Sequence, residues 1–335
     1  MSEQKAVLVA GGAGYIGSHT AKALSEAGYT PVVYDNLSAG FREAVRWGPF
    51  VHGDIRDSAA LRAAMVEHKV GAVIHFASLI EVGRSMVRPD LFYDINVNGT
   101  ATLLNAMRET GVKRLVFSST AAVYGQSDAA TLTEDDHKDP VSAYGDTKLA
   151  CERMIASYGR AFGLTAVALR YFNAAGADAS GLIGEAHNPE THLIPLAIAA
   201  NLGRGKPLTV FGDDFPTADG TCLRDYIHVG DLADAHVRAL TQGVQAGGFA
   251  PINVGTGRGW SVLEVIRSVD KVLGSPTPHS IGGRRAGDPA VLVANASRAG
   301  ALLDWTPTRS SLDQIVKNAA NWHQSQKYGE GKISG

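Results

Sequence analysis

The feature that most constrains the fold is a glycine-rich turn between an apolar strand and a helix, near the start of the chain. Gly11, Gly14 and Gly17 form the pattern G-x-x-G-x-x-G after the apolar residues 6–9, and helical spacing follows over 15–27. Such glycines permit a tight turn, close approach of the backbone to a pyrophosphate, and close packing of helix on strand. The pattern predicts a dinucleotide site whose phosphates lie at the helix amino end.

Strands and helices alternate through the first half of the chain. Apolar strands are predicted at 6–9, 31–34, 72–76, 114–118 and 165–170, with helical spacing at 15–27, 59–68, 91–109 and from Ala143 onward. Continuous apolar strands separated by helices are typical of a parallel sheet covered on both faces. The predicted fold class is therefore α/β, a Rossmann-type doubly wound parallel sheet with a smaller C-terminal α/β domain.

The character of the sequence changes after about residue 173. Loops rich in Gly, Pro and Asp occupy 174–190 and 212–221, and helical spacing returns at 231–240, 262–273 and 312–325. We interpret residues 1–173 as the dinucleotide-binding domain and 174–335 as mainly a substrate domain, from which a strand and a helix could return to the first domain. Sheets of this kind place ligands at the carboxyl edge of their strands.

An acidic residue at the end of the second strand bears on the choice of dinucleotide. Asp35 occupies that position, where a carboxylate accepts hydrogen bonds from the ribose hydroxyls and repels a 2′-phosphate, so NAD is favoured over NADP. Asp54 and Ile55 could reach the adenine edge. The alternative is that this segment, with Asp57 and Ser58, caps the next helix.

A tyrosine and a lysine four residues apart open a later helix. Tyr144 and Lys148 share one helix face. A free phenol has a pKa of about 10, and we expect the Lys148 ammonium and the positive nicotinamide ring to lower the pKa of Tyr144. Ser118 and Thr120 end the preceding strand, so a hydroxyl there could meet the same substrate oxygen. Together with the glycine turn, this pair predicts a hydride-transfer enzyme.

Composition argues against several other classes of protein. The chain has 31 basic and 33 acidic residues, which favours neither nucleic acid nor an acidic membrane as a partner. The two cysteines are too few for a disulfide framework, and residues 1–5 lead directly into the first strand, so we expect a cytoplasmic protein without a signal peptide. His228 and His236 lack ligand spacing, and we predict no metal site.

Sequence blocks spread from residue 6 to about residue 325 carry a family likeness. They are Gly11-Gly-Ala-Gly-Tyr-Ile-Gly-Ser-His, Asp35-Asn-Leu, His75-Phe-Ala, Asn96-Val-Asn-Gly-Thr, Ser118-Ser-Thr-Ala-Ala-Val-Tyr-Gly, Tyr144-Gly-Asp-Thr-Lys, Arg170-Tyr-Phe-Asn-Ala-Ala-Gly, Arg224-Asp-Tyr-Ile-His-Val-Gly-Asp-Leu-Ala and Arg284-Arg-Ala-Gly-Asp. The first five resemble the extended short-chain dehydrogenase/reductase superfamily. The Arg170 and Arg224 blocks more narrowly resemble its UDP-glucose 4-epimerases.

The resemblance implies a role for each matching residue. Tyr144 would be the acid/base residue, Lys148 its electrostatic partner, and Thr120 the hydroxyl that contacts the sugar O4. The implied cofactor-binding residues are Gly11, Gly14, Tyr15, Ile16, Gly17, Asp35, Asn36, Leu37, Ser38, Asp54, Ile55, Phe76, Ala77, Ser78, Asn96, Ser118, Tyr144, Lys148, Tyr171 and Phe172. The implied substrate-binding residues are Thr120, Tyr144, Asn173, His192, Leu193, Thr209, Phe211, Arg224, Tyr226, Arg285, Asp288 and Leu292.

The resemblance also implies a reaction and its partners. A UDP-sugar would be oxidised transiently at C4, the 4-keto sugar would rotate about its diphosphate link, and reduction on the opposite face would interconvert UDP-glucose and UDP-galactose. NAD would stay tightly bound, because each turnover regenerates it. Arg224 and Arg285 would clamp the diphosphate as guanidinium forks. The helices at 91–109 and Ala143–Phe162 would form a homodimer contact.

Some positions depart from the family pattern and leave alternatives open. Ile80 stands where some members carry Lys, and His192 where some carry Asn. Leu292 occupies the position where a large tyrosine narrows the sugar pocket in some epimerases. Leucine is smaller, so a 4-epimerase of UDP-N-acetylglucosamine or UDP-xylose remains an alternative. The related 4,6-dehydratases carry an Asp-Glu pair where this chain has Ala121-Ala122. A non-catalytic NAD-sensing regulator is the alternative from another class.

Overall fold

The computed structural model describes residues 5–127, 129–285, 288–325 and 327–329. The strands are β1 (Ala6–Ala10), β2 (Thr30–Asp35), β3 (Phe50–His52), β4 (Ala72–His75), β5 (Arg114–Thr120), β6 (Thr165–Tyr171), β7 (Asn173–Ala175), β8 (Leu208–Phe211), β9 (Leu223–His228), β10 (Phe249–Val254), β11 (Gly259–Ser261), β12 (His279–Gly282) and β13 (Val291–Leu292). The helices are α1 (Tyr15–Glu26), α2 (Ser58–Glu67), α3 (Val82–Val87), α4 (Pro89–Phe92), α5 (Gly99–Thr110), α6 (Ala143–Phe162), α7 (Leu193–Asn201), α8 (Val229–Ala239), α9 (Val262–Leu273), α10 (Ser297–Leu303) and α11 (Leu312–Gln324).

The main sheet is parallel throughout, with the strand order β10-β6-β5-β4-β1-β2-β3. In β1, the side chains of Val7, Leu8 and Val9 are all buried. Leu8 packs into a core on one face of the sheet, and its two neighbours pack into the core on the other. Both faces are therefore covered by helices, which explains the continuous apolar strands and confirms the predicted fold class.

The helix predicted at 91–109 is not continuous. It is divided into α4, a π-helical turn over Tyr93–Asn98, and α5. Within the turn, the Asn96 carbonyl accepts hydrogen bonds from Thr100 Oγ1 and Cys151 Sγ, and the buried Asn96 side chain reaches across to residue 79. π-helical turns of this kind are frequent at functional sites.

The second part of the chain returns to the main sheet. β10 pairs with β6 at the sheet edge. Its interior residue Pro251 has no N–H to donate, so a strand containing it suits an edge position. α8 packs against α1. The division at 173/174 remains a prediction, which had allowed for such returns.

The remaining strands form small sheets beside the carboxyl edge. β9 pairs with β7, β11 and β13, and β8 pairs with β12. α7, α9 and α11 pack together over an apolar core of their own. The helix α9 opens with a capping box between Ser261 and Glu264. In the part of the chain that the structure describes, no helix is long and apolar enough to cross a membrane.

Candidate functional site

The glycine turn lies between β1 and α1, as predicted. A Cβ on Gly11 would stand 2.6 Å from the Ala77 nitrogen, and one on Gly17 would stand 2.2 Å from the Gly11 oxygen. The protein's own backbone therefore requires these two glycines. A Cβ on Gly14 would meet only the Gly11 oxygen, at 3.4 Å, which is ordinary contact. Gly14 thus leaves open space at the start of α1, which fits a pyrophosphate held by the free N–H groups there.

We expect Gly14→Ala and Gly17→Ala to separate binding from folding. Gly14 has φ −78° and ψ 179°, which alanine adopts without strain, so the variant should keep its stability and bind NAD at least about tenfold more weakly, or about 1.4 kcal/mol. Gly17→Ala should instead lower stability, because its Cβ overlaps backbone. NAD titration and urea unfolding of both variants would check this. Unchanged NAD affinity in Gly14→Ala would contradict the prediction that the pyrophosphate lies against Gly14.

The acidic residue after the second strand lies beside the glycine turn. The Asp35 carboxylate accepts hydrogen bonds from the backbone N–H of Ala13 at 3.0 Å and of Leu37 at 2.8 Å. Burial raises its pKa, and these two bonds oppose that rise. Each carboxylate oxygen has a second acceptor site, so Asp35 can still receive ribose hydroxyls. Leu37 has a positive φ of 57°, and Ser38 donates its N–H to the Asn36 side chain.

The segment after β3 differs in part from its prediction. The Asp54 carboxylate binds the Arg56 guanidinium at 2.8 Å and accepts a hydrogen bond from Asn36 at 3.1 Å. It does not cap α2, because the N-cap is Asp57, whose side chain accepts from two backbone N–H groups. Ile55 is 5% exposed and belongs to the apolar core. The Ile55 side chain therefore contributes to the core, and contacts of Asp54 and Ile55 with adenine remain predictions.

The loop after β4 passes directly beneath the glycine turn. The N–H groups of Phe76 and Ala77 both donate to the Ala10 carbonyl, at 2.7 and 3.0 Å. Asn96 fixes the loop from the other side, because its side chain both accepts from and donates to the Leu79 backbone. The remaining amide hydrogen of Asn96 goes to Thr147. Asn96 therefore acts as a positioning residue for this loop, and protein partners take both hydrogens of its side-chain amide.

The reactive pair on α6 is buried and points at the end of β5. Lys148 Nζ donates to Ser78 Oγ and to the Ser118 carbonyl, both at 2.9 Å, and lies 5.9 Å from the centre of the Tyr144 ring. Tyr144 interacts with the Thr120 hydroxyl. The structure thus brings together the three predicted catalytic residues, with the lysine tied to the loop that would carry the nicotinamide.

The protein by itself does not lower the pKa of Tyr144, and the expected lowering also invoked the charge of a bound nicotinamide ring. Burial raises the pKa of Tyr144 to about 12, and the Thr120 hydroxyl opposes this rise only in part. Burial also lowers the pKa of Lys148 to about 8. Desolvation is the largest cause of both shifts, because burial disfavours the charged form of each group. A phenolate here requires a further positive charge, such as an oxidised nicotinamide ring supplies.

The strand ends around the pair carry further predicted cofactor residues. The Ser118 hydroxyl forms a short hydrogen bond with the Tyr171 hydroxyl. Burial raises the pKa of Tyr171, which keeps this phenol neutral. Phe172 packs in a small apolar cluster together with Leu292.

Two further predicted cofactor residues begin α1, directly after the glycine turn. Tyr15 donates its hydroxyl hydrogen to the Gly176 carbonyl at 2.7 Å, and Ile16 packs against the core behind β1.

A buried polar network behind β5 was missed by sequence reasoning. Arg170 and Glu152 form an ion pair at 2.6 Å with both side chains 3% exposed. The Ser119 hydroxyl donates to Glu152 at 2.5 Å, and Arg170 donates to the Tyr124 hydroxyl at 3.0 Å. Tyr124 in turn donates to the Asn253 side chain at 2.6 Å. Ser119 lies between Ser118 and Thr120, so this network fixes the strand that carries the reacting hydroxyls.

Several predicted substrate-binding residues lie on β8, on β9 and in the segment after β12. Arg224 and Asp288 form a short ion pair, with side chains 13% and 25% exposed. Leu292 stands opposite Arg224 in the pairing of β13 with β9. The Arg285 guanidinium lies over the Phe211 ring at 3.9 Å, and Thr209 is exposed in the same strand. An anionic diphosphate would exchange with Asp288 for the Arg224 guanidinium.

The other predicted substrate residues lie at the ends of neighbouring elements. Asn173 donates its side-chain amide to the Asp225 carbonyl at 3.1 Å, and its backbone pairs with Tyr226 across β7 and β9. Tyr226 is buried, and burial raises its pKa. His192 is the N-cap residue of α7, which begins at Leu193.

Cys151, on α6, is a buried thiol whose pKa is raised by burial, as expected of a residue that is not a nucleophile.

Comparison with known proteins agrees with this geometry. Residues 7–255 match the model of the NAD dependent epimerase/dehydratase family. The chain is 51% identical over 317 residues to a UDP-glucose 4-epimerase of Rhizobium leguminosarum bv. trifolii, covering 95% of this chain and 97% of the relative.

Two solved structures show the same fold. A UDP-glucose 4-epimerase from Brucella ovis in complex with NAD superposes with a TM-score of 0.91 at 49% identity, covering 94% of this chain and 97% of that one. A UDP-glucose 4-epimerase from Stenotrophomonas maltophila, with bound NAD and formylated UDP-arabinopyranose, gives a TM-score of 0.92 at 40% identity, covering 96% and 98%.

Proposed function

The chain belongs to the NAD dependent epimerase/dehydratase family, and from this premise we propose that it interconverts UDP-glucose and UDP-galactose. It is an isomerase that uses NAD. The observation that carries the proposal is the buried Tyr144–Lys148 pair, anchored to both Ser78 and the end of β5. A regulator that only sensed NAD would not need a buried phenol beside a buried ammonium.

The residues divide the reaction between proton transfer and binding. Bound NAD would supply the hydride acceptor and donor at the sugar C4, together with the positive ring charge that Tyr144 requires. Tyr144 would take the O4 proton and later return one, with Thr120 holding that oxygen. Arg224 and Arg285 would hold the diphosphate end, while the sugar end would have fewer charged contacts, with the apolar Leu292 beside it. The 4-keto sugar could therefore rotate about its diphosphate link and present its opposite face while the nucleotide stays fixed.

Purified protein without added NAD should convert UDP-galactose to UDP-glucose, because the cofactor is regenerated in each turnover and is expected to stay bound. The reaction is followed by a coupled assay for UDP-glucose, and denatured protein is assayed for released NAD. The control is protein stripped of NAD and then resupplied. Absence of conversion even with NAD restored would contradict the assignment of UDP-galactose as substrate. N-acetylated and pentose UDP-sugars would then be assayed.

The breadth of the sugar pocket depends on one partly buried leucine. Leu292 packs with Phe172 in the small apolar cluster beside Thr120, and a tyrosine there would narrow the space for a substituent on the sugar. We expect Leu292→Tyr to lower kcat/KM for UDP-N-acetylglucosamine at least about tenfold relative to UDP-glucose. Leu292→Met is the volume-conserving control. An unchanged ratio of the two kcat/KM values would show that Leu292 does not line the pocket.

We also propose a cytoplasmic homodimer. Both cysteines are free thiols, which suits a reducing compartment. Tyr93 begins the π-helical turn that leads into α5, and Phe162 ends α6; they expose 46% and 47% of their surface. Packing these helices against those of a second copy would cover both rings. Sedimentation equilibrium should give twice the chain mass, and Phe162→Glu should weaken the dimer; a monomeric wild type would contradict the proposal.

A further inference from the structure

Two histidines and two glutamates converge in the loop before α7. They follow the spacing Glu185-x-His187-x-x-Glu190-x-His192, and their ligand atoms all lie within 4.8 Å of one another. Glu185 Oε1 lies 3.0 Å from His187 Nδ1 and 2.9 Å from His192 Nδ1. Glu190 Oε1 lies 2.8 Å from the same His192 nitrogen. The four side chains thus point their donor atoms at one small volume.

Within the described residues, the two glutamates can balance their charge only through protonation of His187 and His192 or through a bound cation. The Glu185 and Glu190 side chains are 3% and 7% exposed. Among the residues that the structure describes, neither carboxylate forms an ion pair with a lysine or arginine. Buried carboxylates are normally paired with a charge or bound to a metal. His192 Nδ1 carries at most one hydrogen, yet an oxygen of each glutamate lies within hydrogen-bond distance of it.

The geometry suits a small divalent cation. Zn²⁺ is usually held by four nitrogen or oxygen ligands at about 2.0–2.2 Å in a tetrahedron, which places neighbouring donors about 3.3 Å apart. The closest donor pairs here are 2.8 to 3.0 Å apart, so a slight expansion would admit the ion. We propose that Glu185, His187, Glu190 and His192 form a structural site for one divalent cation of the Zn²⁺ class. Imidazole with carboxylate is a ligand set that favours this class.

The expectation of no metal site considered only His228 and His236. It missed the spacing Glu-x-His-x-x-Glu-x-His, which was visible in the sequence. A loop of eight residues can close around an ion without help from distant strands. The convergence of all four ligand atoms, and the burial of the two carboxylates, became apparent only in the structure.

The site would connect the cofactor turn with the substrate domain. The Tyr15 ring, at the start of α1, contacts the edge of the His187 ring, with centroids 6.0 Å apart. On the other side, Trp322 Nε1 donates to the Glu185 carbonyl at 2.7 Å, and His192 directly precedes α7. A bound cation would therefore hold the loop between these elements, so its expected effect is on stability. Both histidines would bind through Nδ1 and keep a hydrogen on Nε2.

The test measures metal binding and does not depend on the sugar substrate. Untagged protein is treated with dipicolinic acid, titrated with Zn²⁺, passed through a desalting column, and analysed by elemental mass spectrometry. We expect one Zn²⁺ per chain and a rise in Tm on adding Zn²⁺. Glu185→Gln and His187→Asn should each weaken binding at least about 100-fold and abolish the rise in Tm. Glu67→Gln, on the exposed end of α2, is the matched control.

Two results would overturn the proposal. Wild-type protein that retains no Zn²⁺ would mean that the four side chains form only a hydrogen-bonded cluster. Equal Zn²⁺ binding by wild type and both variants would place the ion elsewhere. The His187 side chain is 21% exposed, so His187→Asn should fold even if Glu185→Gln does not. Circular dichroism and retention of NAD establish folding for each variant independently of epimerase activity.

Discussion

Replacing Tyr144 by phenylalanine should lower kcat for UDP-galactose by about 10²–10⁴-fold, the usual contribution of a positioned acid/base group. The phenyl ring keeps the packing of a side chain that is only 9% exposed. What is lost is the hydroxyl beside Thr120 that would exchange the O4 proton. Lys148 cannot replace it, because its ammonium is already engaged by Ser78 and Ser118. NAD content and Tm should stay at wild-type values.

The matched control for this variant lies on the same helix. Tyr158 donates its hydroxyl hydrogen to the Asn105 side chain at 2.9 Å, away from the β5 end of the site. Tyr158→Phe removes the same atom from α6 and should leave kcat close to wild type. Initial rates of both variants, measured at saturating UDP-galactose, give the comparison. Tyr144→Phe with near-normal kcat would assign proton transfer to another group.

Replacing Glu152 by glutamine should destabilise the fold by about 3–5 kcal/mol, because it leaves the buried Arg170 charge without a partner. The Glu152 carboxylate accepts hydrogen bonds from Arg170 at 2.6 and 2.9 Å and from Ser119 at 2.5 Å. A domain has only about 5–15 kcal/mol of stability in total. The midpoint of unfolding should therefore lie at a much lower urea concentration than in the wild type. Urea unfolding followed by circular dichroism measures the change.

An exposed ion pair provides the control for the buried one. Glu109 and Arg62 join α5 to α2 at 3.0 Å, with side chains 44% and 40% exposed. Glu109→Gln should cost less than about 1 kcal/mol, because water screens and solvates both partners. Equal losses for Glu109→Gln and Glu152→Gln would mean that the Arg170 pair contributes nothing special to folding.

Local features of the site were predictable because their geometry is set within a few residues. The turn from Gly11 to Gly17 follows from the space that its own backbone leaves for a Cβ. The common direction of Tyr144 and Lys148 follows from the pitch of one helix. The parallel sheet follows from alternating apolar strands and helices, each visible in a short window. These features required no knowledge of which distant residues meet.

Other features depend on contacts between distant parts of the chain. The pairing of Arg224 with Asp288 and of β10 with β6 joins segments that are far apart in sequence, and the Arg170–Glu152 pair joins β6 to α6. The side chain of Asn96, within the π-helical turn, bonds the neighbouring loop and α6. No local pattern encodes such partners, so these features could be found only in the folded chain.

The sequence alone determined the fold class, the dinucleotide turn and the identity of the reactive pair, because each rests on local spacing and residue chemistry. Tertiary structure decided the electrostatics of that pair. Spacing predicts that Lys148 lies near Tyr144, but burial raises the pKa of the phenol to about 12 and lowers that of the lysine to about 8. Desolvation depends on every element packed around a group, and it therefore exists only once the whole chain has folded.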